Sequence, residues 1–157
     1  MYIRKCIKES FCVIGKQGST DDGDGFIGKL WEDANNHFNE IASLAKTNEK
    51  GNPVGFWGAM SDLSKSFNPW ENGFTKGLYL AGVEAKNDAE APEGWTKWTI
   101  PSYEYLYVKV ENGTQDIFPA MIKYIEENGF KLAGAVHDFI CPDENGQAYM
   151  FFPICRL

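Results

Sequence analysis

The stretch LAGAVHDFICPDENGQAYMFFPICRL, residues 132–157, decides the fold that the sequence predicts. It contains two apolar segments separated by residues 143–146 (DENG), a polar turn sequence typical of two paired strands. Alternate side chains along a strand share a face, so Asp138 is expected on the same face as Val136 and Ile140. A carboxylate among such neighbours is paired with a cation, open to solvent or part of a site.

The clearest period-two alternation lies upstream, at the end of a strand predicted over residues 95–110. It separates one aromatic row of side chains from one aliphatic row. Because an amphipathic helix buries its apolar stripe against a sheet, we assign the aliphatic row to the helices. The aromatic row is Tyr103, Tyr105 and Tyr107, and the aliphatic row is Leu106, Val108 and Val110.

The rest of the chain divides into halves of about 1–87 and 95–157, each with the order strand, helix, strand, strand. The first half has a strand over 2–16 that bends near Glu9-Ser10, a helix from Phe26 to Ala45, and strands over 53–61 and 77–86. The second has the strand over 95–110, a helix that Thr114 caps and Asn128-Gly129 ends, and the two closing strands. The length of 157 residues fits a single domain, 1–157.

These elements predict an α+β fold with a pseudo-twofold duplication of the strand-helix-strand-strand unit. Two helices cover one face of an antiparallel sheet, and the other face is free to line a ligand groove.

Composition narrows the classes of function. A net charge of -7 argues against a protein that binds a phosphate backbone. No apolar segment is long enough for a membrane span or a signal peptide, so we expect a cytoplasmic protein without membrane contact. The four cysteines form no CxxC pair, and no catalytic, metal-binding or nucleotide-binding motif occurs, so we expect neither cofactor nor metal.

The aromatic rows predict where a ligand would bind. In the last strand Met150, Phe152 and Ile154 form one row, whereas Tyr149 and Phe151 form the other. The two aromatic rows then make either a π-rich groove or a solvated sheet face. A carboxylate in such a groove would favour an organic cation, and Asp138, Glu84 and Glu104 are the candidates. Phe67, Trp70 and Phe74 make the loop over 62–76 unusually aromatic, which suggests a lid.

An ordered set of short motifs gives the sequence a resemblance to a known family. The set comprises a helix with Trp31-Glu32, then GFWGAM (55–60), YLAGVE (79–84), PEGWTKWTIPSYEYLYV (92–108), NGFKLAGAVHDF (128–139) and YMFFPI (149–154). It resembles the effector-binding domain of AraC-type and MerR-type multidrug-responsive regulators, the GyrI-like small-molecule-binding family. The resemblance covers almost the whole chain.

The resemblance implies a groove between the halves, with an acidic residue of the penultimate strand at its base. Asp138 matches that position, although the family usually has glutamate there, and Tyr149 stands where a second acidic residue is common. The regulators also carry a helix-turn-helix domain, which precedes this module. Here the first strand begins near Met1, so we expect a stand-alone form without direct DNA binding. The expected ligand-binding residues are Trp57, Tyr105, Tyr107, Asp138, Tyr149 and Phe151.

Three functions remain open at this point. The first is binding of a cationic or aromatic drug-like ligand, which the protein would sense or sequester. The second is hydrolysis of a reactive electrophilic small molecule, with Asp138 as base and Tyr105 as proton donor. The third is an interaction module whose groove or sheet edge binds a protein partner.

Overall fold

Eight strands make up the sheet in the computed structural model, which describes residues 1–111 and 116–157. Their bounds are β1 Ile3–Lys8, β2 Phe11–Ser19, β3 Phe56–Ser61, β4 Leu78–Ala85, β5 Thr96–Ile100, β6 Tyr103–Lys109, β7 His137–Cys141 and β8 Gln147–Arg156. All the pairings are antiparallel, in the order β1-β6-β8-β7-β3-β4-β2-β5. Exchanging each strand of the first half with its equivalent in the second half (β1 with β5, β2 with β6, β3 with β7, β4 with β8) gives the same order, read from the opposite edge of the sheet. A pseudo-twofold duplication requires this symmetry.

Two helices cover one face of the sheet. Helix α1 spans Phe26–His37 and α3 spans Ile117–Glu127, while α2 is a single turn, Glu71–Phe74. Ala34 of α1 packs with Tyr79 and Ala81 of β4. Helix α3 packs its apolar stripe on the aliphatic rows of β6 and β8. The predicted α+β class and the assignment of the aliphatic rows to the helices are therefore confirmed.

Helix α3 ends where the sequence predicts. Its last residue is Glu127, and Gly129 has φ +75°, the left-handed conformation that glycine adopts at little cost. The predicted cap at Thr114 lies outside the described residues.

The predicted long strand over residues 95–110 is in fact two strands, because the chain bends at Pro101-Ser102. Proline has no N–H for the ladder, and the neighbouring long strand bends at the matching place, Glu9-Ser10. The two bends are joined, since the backbone N–H of Ser10 donates to Ser102 Oγ at 2.7 Å. Thus β1, which precedes the bend at Glu9-Ser10, pairs with β6, which follows the bend at Pro101-Ser102. On the other side of the two bends, β2 pairs with β5.

The helix predicted from Phe26 to Ala45 is shorter than expected. Helix α1 ends at His37, which has φ -131°, and tighter 3-10 turns follow over Phe38–Leu44. These turns bring Ile41 onto the part of the sheet that Val83 occupies, away from the contacts of α1. The amphipathic spacing continues through both segments, so periodicity alone does not reveal the break. The strand β2 also runs on to Ser19, beyond its predicted end.

Candidate functional site

The face of the sheet without helices carries aromatic side chains from four strands. They are Trp57 of β3, Tyr107 of β6, Phe139 of β7, and Tyr149 and Phe151 of β8. The rings of Tyr107 and Phe151 stack with centroids 4.9 Å apart and planes 6° apart. The Trp57 ring lies 4.6 Å from Phe139 and 5.3 Å from Phe151. The predicted aromatic rows therefore share this face.

A cavity of about 540 Å³ opens on this face, and we call it the groove cavity. The aromatic side chains form its floor, and charged side chains from β1, β4 and the segments flanking the sheet complete its walls. The lining residues are Arg4, Cys6, Ile7, Lys8, Lys46, Val54, Trp57, Glu84, Tyr107, Phe139, Glu144, Tyr149 and Phe151.

One of the two carboxylates that line the groove cavity belongs to Glu84, a buried residue of β4. Its Oε1 accepts a hydrogen bond of 3.0 Å from Trp57 Nε1. The ammonium of Lys8 lies 3.3 Å from each Glu84 oxygen, and Lys46 Nζ lies 3.9 Å from Oε2. A buried carboxylate needs such partners, because its desolvation is otherwise unfavourable. Glu84 is therefore fixed in place and already neutralised.

Tyr105 lies beneath the groove cavity and does not line it. The side chain is fully buried, its ring lies 5.6 Å from Phe151, and burial raises the pKa of its phenol. Among the described residues its hydroxyl has no hydrogen-bond partner. Tyr105 thus supports the aromatic floor.

Tyr149 stands at the rim of the groove cavity and is tied to the turn after β7. Its hydroxyl donates to Glu144 Oε1, and this hydrogen bond, more than burial, raises the pKa of the phenol to about 12. The bond fixes the ring beside Phe139, whose centroid is 6.2 Å away. Tyr149 therefore remains a neutral aromatic wall at physiological pH.

The predicted orientation of Asp138 is wrong, because its side chain lies on the helix-covered face. In β7 it is the partner of Met150 on one side and of Gly58 on the other, and Met150 belongs to the core beneath α3. The residues of β7 on the groove face are instead His137 and Phe139. The register of β7 against β3 and β8 decides this, since alternate residues face opposite ways.

Asp138 lines a separate cavity of about 340 Å³, between α1 and the sheet. Its Oδ2 accepts a hydrogen bond of 3.0 Å from the Tyr79 hydroxyl, which accepts one of 3.1 Å from Trp31 Nε1. Burial raises the pKa of Asp138 to about 6, although the bond from Tyr79 opposes the shift. Asp138 is thus a buried carboxyl with a pKa of about 6, and it lies outside the groove cavity.

Replacing Asp138 by asparagine should stabilise the protein at neutral pH more than in acid. The folded-state pKa of about 6 lies above the ordinary value of 3.8, so the folded state binds the extra proton between these values. Ionisation therefore costs the wild type stability as the pH rises through that window. Urea unfolding at the two pH values measures this effect. The free energy of unfolding of D138N, relative to that of the wild type, should be about 1–2 kcal/mol higher at pH 7.5 than at pH 4. An equal difference at both pH values would contradict this assignment.

Asp62→Asn is the matched control, with the opposite sign. Burial raises the pKa of Asp62, but hydrogen bonds from the Ser66 N–H and the side chains of Ser61, Ser64 and Asn68 outweigh burial and lower it. A lowered pKa stabilises the fold when the group is ionised. D62N should therefore be less stable than the wild type at neutral pH, and this deficit should shrink as the pH falls through the carboxyl range.

His137 is a buried residue of the groove face that we did not predict. Its Nδ1 accepts a hydrogen bond of 3.0 Å from the Met60 N–H, and its ring lies 6.3 Å from Trp57 and 6.4 Å from Tyr105. Burial lowers the pKa of His137 to about 3. The imidazole is therefore neutral at physiological pH and adds no charge to the floor.

The structure brings together four of the six predicted ligand-binding residues in the walls of the groove cavity: Trp57, Tyr107, Tyr149 and Phe151. Sequence reasoning ranked Glu84 below Asp138 and missed the cationic side chains Arg4, Lys8 and Lys46. The alternation Arg4-Cys6-Lys8 places three side chains on one face of β1. Only its pairing with β6, in which Arg4 lies beside Tyr107, shows that this is the groove face.

The aromatic loop before β4 does not cover the groove cavity. The ring centroids of Phe67 and Trp98 are 5.9 Å apart, and this pair lies beyond the cavity walls. On the helix side, Trp70 contacts Phe26, and Phe74 contacts Phe118. The loop therefore closes the end of the sheet, and the predicted lid is wrong.

The described residues show neither a metal site nor a helix that could span a membrane. They contain no group of three His, Cys, Asp or Glu side chains that could hold a metal ion. None of the helices in this part of the chain has the length and apolarity that crossing a membrane demands.

Solved structures with the same fold include a protein bound to a small molecule, a C-terminal domain and a hydrolase. SAV2435 bound to tetraphenylphosphonium is 12% identical, with a TM-score of 0.68 over 98% of this chain and 94% of that chain. The C-terminal domain of EcmrR is 12% identical, with a TM-score of 0.64 over the full length of both chains. A hydrolase from Listeria innocua is 8% identical, with a TM-score of 0.57 over 97% of this chain and 90% of its own.

What these similarities show is the fold. The chain has the same α+β fold as SAV2435 and the C-terminal domain of EcmrR. No family model matches the sequence, and no curated protein matches it.

Proposed function

We propose that this protein binds an aromatic small molecule in the groove cavity. The observation that carries the proposal is the cavity itself, whose volume of about 540 Å³ falls within the range typical of ligand pockets. Five aromatic side chains form its floor and walls, and the stacked pair Tyr107 and Phe151 offers a flat surface to a ring. Sensing or sequestering such a molecule in the cytoplasm is the role that follows.

The structural relatives support the same proposal. SAV2435 is described as bound to tetraphenylphosphonium, a molecule with four phenyl rings, and its fold extends over nearly all of this chain. We take from this relative only that the fold can hold an aromatic ligand. A cationic ligand, expected from the sequence, would meet two carboxylates in the groove cavity. Glu84 is already paired with Lys8 and Lys46, and Glu144 accepts a hydrogen bond from the Tyr149 hydroxyl.

Hydrolysis by the predicted pair has less support than binding. Asp138 lies on the helix-covered face, whereas Tyr105 lies under the groove floor, so the sheet separates the two side chains. A base and a proton donor must reach the same substrate, and these two residues do not share a cavity.

A neutral fluorescent ring compound, N-phenyl-1-naphthylamine, tests the proposal without any contribution from ligand charge. We expect saturable binding to the wild type. The signal is the rise in probe fluorescence that accompanies burial of the ring. Tyr107→Ala should weaken this binding about tenfold, because the variant removes one ring of the stacked pair.

The matched control is Tyr124→Ala, which removes another partly buried tyrosine, from the helix-covered face. It should bind the probe as the wild type does. The proposal fails if the probe does not saturate, or if the two tyrosine variants weaken binding equally.

A further inference from the structure

The groove cavity differs in charge from the rest of the protein. The whole chain has a net charge of -7, yet the cavity is lined by three cationic side chains, Arg4, Lys8 and Lys46, and by two carboxylates, Glu84 and Glu144. Clefts concentrate the field of the charges that line them, so this local excess of positive charge acts on a ligand inside the cavity.

Lys8 occupies the position that a ligand cation would take. Its ammonium lies 3.3 Å from both oxygens of Glu84, 4.4 Å from the centroid of the Phe11 ring and 5.7 Å from that of Trp57. A carboxylate combined with aromatic faces is the environment that recognises organic cations. In this protein the chain itself supplies the cation.

A cationic ligand would have to compete with Lys8 for Glu84. A tethered group acts at an effective concentration on the order of millimolar. Glu84 is also engaged by the indole N–H of Trp57 and is buried, so little of its surface is left for a second ammonium. Displacing Lys8 would leave that ammonium in the same cavity as the incoming charge, and like charges repel.

Arg4 marks the position for a ligand of the opposite charge. Arg4 of β1 is the first residue of a row that continues across the sheet through Tyr107 of β6, Phe151 of β8 and His137 of β7. The cationic side chain of Arg4 therefore lies beside the aromatic floor of the groove cavity. Among residues 1–111 and 116–157, Arg4 forms no ion pair with any carboxylate. Its guanidinium can therefore donate to the anionic group of a molecule whose ring lies on Tyr107 and Phe151.

We propose that the groove cavity selects aromatic anions, such as ring compounds that carry a carboxylate or a sulfonate, and that Lys8 is the specificity-determining residue that excludes cations. The inference rests on the proposed function, because it specifies the charge of the ligand that the same cavity takes. The cationic side chains of the cavity outnumber its carboxylates by one. Lys8 and Lys46 both lie against Glu84, and Arg4 provides the positive charge that attracts the ligand.

Tetraphenylborate and tetraphenylphosphonium, two ions of nearly the same shape and opposite charge, test the proposal by isothermal titration calorimetry. The wild type should bind the borate about tenfold more tightly than the phosphonium. Lys8→Gln should shift the ratio of the two affinities toward the phosphonium by about tenfold or more, since it removes the cation that lies nearest to Glu84. Lys5→Gln is the matched control, because Lys5 is also on β1 but lies over Phe130 on the helix side, and its ratio should equal that of the wild type.

A second variant covers the case in which Lys8→Gln does not fold. Glu84→Gln keeps an acceptor for the indole N–H of Trp57 and leaves the charge of Lys8 uncompensated. It should strengthen tetraphenylborate binding and weaken tetraphenylphosphonium binding.

The outcomes separate the two proposals. Tighter binding of tetraphenylphosphonium by the wild type, or equal ratios in the Lys8 and Lys5 variants, would overturn the selection of anions and leave aromatic binding intact. If neither ion nor the neutral naphthylamine probe binds, the proposed function itself fails.

Discussion

Gly82→Ala should lower the free energy of unfolding by about 3 kcal/mol, the upper part of the range for overpacked sites. Gly82 of β4 lies opposite Gly15 of β2, and on its other side it lies opposite Trp57 of β3. A methyl group on Gly82 would overlap the carbonyl oxygen of Ile14 and lie 2.8 Å from the Cα of Gly15. Both obstacles are backbone atoms, so the strands must separate to admit the methyl group. Urea unfolding followed by tryptophan fluorescence measures the loss.

Gly28→Ala is the control with the opposite sign. Gly28 lies inside α1, and a methyl group built there meets no atom within 4 Å. Alanine favours the helix over glycine by about 1 kcal/mol, so this variant should be more stable than the wild type. If Gly82→Ala unfolded at the same urea concentration as the wild type, the close approach of β2 and β4 would be refuted.

Trp57→Ala should lower the free energy of unfolding by about 3–5 kcal/mol, as truncations of buried tryptophans do. The side chain is 2% exposed, and its ring lies within 4.9 Å of Phe11 and 4.6 Å of Phe139. Truncation would leave a void in the groove floor and remove the N–H that donates to Glu84. The same urea titration, with the fluorescence of the remaining tryptophans or circular dichroism as the signal, measures the effect.

Trp57→Phe separates the ring from its hydrogen bond. Phenylalanine keeps most of the aromatic contacts but has no N–H for Glu84, so the loss should be about 1–2 kcal/mol. Equal losses for the alanine and phenylalanine variants would mean that the hydrogen bond, and not packing of the ring, accounts for the contribution of Trp57.

Much of the fold could be predicted from the sequence, because its signals are local. Alternation over Tyr103–Lys109 predicted β6 and the face toward α3, and the Asn128-Gly129 stop predicted the end of that helix. The errors occur where a local pattern spans two elements. The amphipathic spacing that begins at Phe26 continues from an α-helix into 3-10 turns, and the strand pattern before Pro101 continues beyond it after a bend.

The candidate site was harder to predict, since its charges come from distant parts of the chain. Lys8 and Glu84 are 76 residues apart in sequence, and Trp57 lies between them. Their contact exists only because β2 pairs with β4, and because β1, which carries Lys8, leads into β2 through the bend at Glu9-Ser10. No periodicity in the sequence predicts that a lysine side chain will fill the cation position of an aromatic cavity.

The stretch that ends the chain shows which features the sequence determines by itself and which depend on tertiary structure. Alternation alone placed Asp138 on the same face as Ile140, and it placed Phe151 on the face of Tyr149, because neighbouring side chains of a strand point to opposite sides. Which face of β7 meets the helices depends on its register with β3 and β8. That pairing puts Asp138 beneath α1 beside Tyr79, and the pairing of β4 with β2 puts Glu84 in the groove cavity. Non-local hydrogen bonds, and not local alternation, fix the register in both cases.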